Sequence, residues 1–109
     1  MSQLLVPTIA AYVHASNARD PDALVACFTP QAVVTDEGHT HRGGEEFREW
    51  AARTQAAFSF TLEVANVGAQ GSETIATCQV SGDFPGSPIE LNYAFTLAGE
   101  KIARLEIVP

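Results

Sequence analysis

The sequence predicts an α+β domain, with helices first and sheet after. Three observations carry this. Apolar residues recur at helical spacing in the first half, they alternate with period two after Phe58, and the short connections in the second half suit antiparallel neighbours. A chain of 109 residues is one domain, residues 1–109, with room for one core and one cavity.

The first helix is read over Leu4 to Ser16, where Leu5, Ile9, Tyr12, Val13 and Ser16 share a face and Asn17 offers a stop. Pro7 is tolerated if the helix begins near it. A second helix restarts at "DPDALVACF": Asp20 is the N-cap, Pro21 fits the first turn, Asp22 suits the positive dipole end, and Leu24, Val25 and Phe28 face inward. A loop and a short strand, Ala32 to Asp36, follow, and "HTHR" returns across a Glu37-Gly38 turn. The third helix, Gly44 to Ala57, stripes Phe47, Trp50, Ala51 and Thr54 along one side and leaves most charges on the other. Four strands finish the chain: "FSFTLEVANV", "ETIATCQVSGDF", "IELNYAFTL" and "KIARLEIVP". The turn-rich "DFPGSP" reads as a hairpin connection.

Composition narrows the function. The chain is 46% hydrophobic and 17% charged, with no apolar run long enough to span a membrane. A formal charge of −7, with scattered arginines, opposes nucleic acid and anionic membranes and leaves small neutral ligands as partners. Cys27 and Cys78 sit in apolar contexts without metal or redox spacing, and they read as buried free thiols in a reducing compartment. The N-terminal stretch lacks a basic region before its apolar residues, so a cytoplasmic location is expected.

The run "YVHASNARDPDALVACFTPQAVVTDEG", then "HRGGEEFREW" and the four-strand finish, resembles the nuclear transport factor 2-like superfamily in its SnoaL-like and ketosteroid isomerase-like branch. The resemblance covers essentially the whole chain. It implies a cone-shaped α+β barrel, three helices on a strongly curved, mostly antiparallel sheet, with a pocket at the wide end. It also implies a homodimer through the outer sheet face, where Ala65, Thr77, Ala94 and Thr96 fall.

Carried over residue by residue, Tyr12 matches the tyrosine that donates to the substrate oxygen in ketosteroid isomerases, and Asp36 matches their catalytic base. Those enzymes add a protonated aspartic acid to the oxyanion hole. Here that strand position falls at Asn92, or at Leu91 or Tyr93 if the hairpin differs in length. Phe28, Val34, Trp50, Phe58, Tyr93 and Phe95 are expected to line the cavity with them.

Independently of the resemblance, proton transfer beside a carbonyl needs a carboxylate near the carbon acid and a donor on the oxygen that becomes an enolate. Asp36 shares a strand face with Ala32 and Val34, and Tyr12 would face it from the helix. Each has a plainer reading as well: Asp36 as a turn residue, Tyr12 as core. His39 and His41 are too few for a metal site, and His41, beside the third helix, is expected to be the polar pocket contact.

The expected function is therefore cofactor-free acid/base chemistry, isomerase- or cyclase-like, on a small apolar or polycyclic carbonyl compound. The competing class is a module that binds a hydrophobic ligand without turning it over. A dehydratase or epoxide hydrolase would need more pocket acids or histidines than Asp36 and His41.

Overall fold

The computed structural model describes residues 6–36, 38–57 and 60–109, with Gly44 and residues 54–57 described in backbone only. Elements follow the order α1 (Pro7–Asn17), α2 (Pro21–Ala26), β1 (Phe28–Asp36), β2 (His39–Arg42), α3 (Gly43–Ala57), β3 (Phe60–Gln70), β4 (Glu73–Gly82), β5 (Ile89–Ala98) and β6 (Lys101–Val108). The strands form one curled sheet, ordered β2-β1-β6-β5-β4-β3, and the helices pack on it. All pairings are antiparallel except β1 with β6.

Local chemistry accounts for the helix boundaries. Asp20 caps α2 by accepting from the Ala23 N–H at 3.2 Å, with Pro21 in the first turn. At the start of α3, the Glu46 carboxylate reaches back to the Arg42 N–H at 2.8 Å.

The end of α1 is more elaborate than an asparagine stop. Arg19 N–H donates to the Ser16 carbonyl and Asp20 N–H to the Ala15 carbonyl, both at 3.1 Å, the pair of bonds that defines a Schellman motif. The motif places Arg19 at φ 55°, left-handed without being glycine. Its guanidinium then donates to the Phe60 carbonyl at 2.7 Å, which holds the turn against the sheet.

Asn17 has a second task. Its amide donates to the Leu62 carbonyl at 3.0 Å and accepts from the Leu62 N–H at 2.8 Å. β3 is an edge strand, so these backbone groups have no strand neighbour, and Asn17 satisfies both. Asn17→Ala is expected to cost about 1–3 kcal/mol, the penalty for stranding part-buried polar groups, and urea denaturation measures it.

β1 is longer than the sequence indicates. It starts at Phe28, which pairs with Ile102 of β6, and its register shifts between Phe28 and Val33, where Pro30 has no N–H to give. Distant pairing, invisible to local pattern, adds the extra residues.

Ile9, Val34, Phe47, Cys78, Phe95, Ile102 and Leu105 are the largest fully buried side chains among the described residues and join α1, α3 and the inner sheet face into one core. Both cysteines are free and buried. Among the described residues, no helix is long and apolar enough to cross a membrane.

Candidate active site

Three residues in one row across the sheet establish the site. Asp36 of β1 lies beside Ile107 of β6, which lies beside Tyr93 of β5. Directly paired residues point to the same face, so Asp36 and Tyr93 look inward on either side of Ile107. Ala32 and Val34 are buried ahead of Asp36 on the same strand face, and the carboxylate itself is half-buried. Gly38, at φ 80°, then turns the chain into β2.

α1 supplies Tyr12, 3% exposed, whose ring meets the edges or faces of Phe95 at 5.4 Å, Phe28 at 6.0 Å and Tyr93 at 6.1 Å. α3 supplies Trp50, whose indole Nε1–H donates to Asp36 Oδ2 at 3.0 Å. This bond orients the carboxylate and leaves Oδ1 without a hydrogen bond among the described residues.

These groups open onto a cavity of about 530 Å³, within the usual range for small-molecule sites. Leu24, Ala51, Phe60, Val80, Leu91 and Ile107 line it with apolar surface, and Phe84, Pro85, Ile89 and Pro109 contribute further wall. Tyr12, Tyr93 and Ser16 also line it, and none of their hydroxyls has a hydrogen-bond partner among the described residues.

Burial pushes the Tyr12 hydroxyl well above the usual tyrosine range, with Tyr93 and Asp36 adding to the rise. Tyr93 moves the same way, again chiefly through burial, with Cys78 and Asp36 contributing. Both phenols therefore stay protonated, as hydrogen-bond donors, in a largely apolar cavity that also receives a carboxylate.

Burial also pushes the Cys78 thiol from 9.0 to about 11. Such acids give up their protons more readily in the unfolded chain. Their contribution to stability is complete below pH 9 and is lost as pH rises through about 11 for Cys78, then higher for the tyrosines. Urea midpoints should fall over that window, and Cys78→Ala should flatten its first part; midpoints independent of pH would contradict this burial.

The structure brings together four of the residues singled out from sequence: Tyr12, Asp36, Trp50 and Tyr93. Phe28 and Phe95 pack behind the Tyr12 ring in the core rather than on the cavity surface. Phe58 lies outside the described residues.

Asn92 requires correction. Strand alternation aims Leu91 and Tyr93 into the cavity and Asn92 out the other side, where it accepts from Thr77 Oγ1 at 2.8 Å and donates to the Pro109 carbonyl at 3.4 Å. His41 is corrected too. It pairs with Val34 and so shares the inner face, but its ring lies against Trp50, 6.0 Å between centroids, and does not line the cavity. His39, opposite Asp36, is exposed. Among the described residues, no three His, Cys, Asp or Glu side chains cluster as metal ligands would.

Sequence reasoning missed the Trp50 bond and the place of Ser16. The first had a signal, since a buried indole N–H needs an acceptor and Asp36 is an acid at an inward strand position.

The model of the SnoaL-like domain family matches residues 9–105. Among solved structures, a Sinorhizobium meliloti protein carrying the provisional name polyketide cyclase is 39% identical, with 94% of each chain covered and a TM-score of 0.89. A Catenulispora acidiphila protein with a ketosteroid isomerase-like fold, in complex with trimethylamine, superposes with a TM-score of 0.84 at 20% identity over 97% of this chain and 87% of that one. An LEH-like epoxide hydrolase of M. tuberculosis reaches 0.75 at 17% identity, over 94% and 79%. A search of curated proteins returns no significant match.

Proposed function

The chain belongs to the SnoaL-like domain family, and from that premise we propose that it is a cofactor-free acid/base enzyme that enolises a small, largely apolar carbonyl compound, with isomerisation or ring closure as the outcome. The observation that carries the proposal is the Asp36 carboxylate, held by Trp50 at the wall of an apolar cavity that Tyr12 and Tyr93 also line.

The chemistry follows from those positions. Asp36 Oδ1 takes a proton from the carbon next to the carbonyl. The C–H electron pair moves into the new carbon–carbon double bond and the carbonyl oxygen becomes the enolate oxygen, where Tyr12 and Tyr93 donate to the developing charge. The protonated Asp36 then gives its proton to a different carbon of a conjugated enolate, for isomerisation, or to the oxygen of a second carbonyl attacked by the enolate carbon, for ring closure. The provisional name of the 39%-identical relative favours ring closure.

Proton exchange tests the shared first step before the natural substrate is known. Cyclic and fused-ring ketones incubated with the protein in deuterated water should gain deuterium at the carbon next to the carbonyl, read by NMR. Ligand binding without exchange across such a panel would replace the enzyme reading with that of a binding module.

A further inference from the structure

Among the described residues Ser16 has no hydrogen-bond partner for its hydroxyl, a group that helices and cores rarely leave unpaired. It is 4% exposed and, among the described residues, the one buried polar side chain outside the aromatics. A helical serine commonly bonds the carbonyl one turn back, here that of Tyr12, yet the Ser16 hydroxyl makes no hydrogen bond among the described residues. Burying a hydroxyl unpaired is unfavourable, and alanine is the better helix former, as Ala15, also buried, illustrates next door. Ser16 lines the same cavity as Asp36.

Its place in the fold separates it from the acid. Tyr12 and Ser16 are one turn apart on the same helix face, roughly 6 Å along the axis. Beyond Ser16, Asn17 is bonded to Leu62 of β3, so this end of α1 stands over the β3 side of the sheet. Asp36 is on β1, four strand positions away in the order β2-β1-β6-β5-β4-β3. Leu24, Val80 and Leu91 are among the apolar residues that line the same cavity.

We propose that Ser16 is a second recognition point, so that the ligand carries two oxygen functions: the reacting carbonyl at Asp36, Tyr12 and Tyr93, and a second hydroxyl or carbonyl oxygen that hydrogen-bonds Ser16. This rests on the enolisation reading above and adds one feature of the ligand: a second oxygen function placed to meet Ser16.

The test compares naphthol, an enolate mimic with one oxygen, with a set of dihydroxynaphthalenes whose second hydroxyl moves around the far ring. Affinities are measured by calorimetry for wild type, Ser16→Ala and Tyr12→Phe. At least one isomer should bind wild type roughly three- to tenfold more tightly than naphthol, the worth of one hydrogen bond. Ser16→Ala should erase that gain without changing naphthol affinity, and Tyr12→Phe should weaken both probes. No gain for any isomer, a gain that survives Ser16→Ala, or equal weakening of both probes by Ser16→Ala would overturn the role of Ser16 alone. Naphthol that fails to bind, or binds without regard to Tyr12, would overturn the enolisation reading and this inference with it.

Discussion

Asp36→Asn is expected to slow deuterium exchange into a bound ketone by about 10²–10⁴, the ordinary contribution of a placed general base. Asparagine keeps the shape of the side chain, and its carbonyl oxygen can still accept from Trp50 Nε1. What it lacks is a basic oxygen facing the carbon acid. The thermal midpoint should therefore stay near that of wild type while exchange collapses. Exchange at the wild-type rate would reduce Asp36 to a residue that ends a strand and anchors an indole.

Tyr12→Phe and Tyr93→Phe are expected to lower the exchange rate by about 10²–10³ each, the cost on record for removing one donor from an oxyanion site. If both hydroxyls hold one oxygen, the double substitution should cost less than the product of the single ones, because either change already spoils the shared geometry. The same substitutions should act oppositely on folding. Neither hydroxyl has a hydrogen-bond partner among the described residues, and both are buried, so phenylalanine should leave stability unchanged or raise it by about 1 kcal/mol. Gain in stability with loss of rate is the mark of a polar group placed for a ligand. A destabilised Tyr12→Phe that kept its exchange rate would make the hydroxyl a structural one.

The sequence carried the elements whose chemistry is local. Asp20-Pro21 announces the start of α2, and the alternation of "IELNYAFTL" and "KIARLEIVP" announces β5 and β6. Asp36 and Tyr12 were legible through the family resemblance, and the cavity receives both. Tyr93 rather than Asn92 faces the site because the pairing of β5 with β6 and of β6 with β1 decides which face joins Asp36. That pairing joins segments far apart in the chain, and alternation within one strand cannot choose its phase. Asn17 illustrates the same limit. Its position at a helix end was readable, but its grip on Leu62 depends on which strand becomes the sheet edge.

The parallel ladder between β1 and β6 has a kinetic consequence. The early strand cannot find its central neighbour until the last strand exists, whereas β3 to β6 can zip as successive hairpins. Closing so long a loop is slow, and it comes after the local contacts that make it worthwhile. Asp36 and Tyr93 are expected to become neighbours across Ile107 late in folding, when that loop closes. A chain in which β6 has not joined β1 has no acid opposite its phenols, so the row of Asp36, Ile107 and Tyr93 exists only once the sheet is closed.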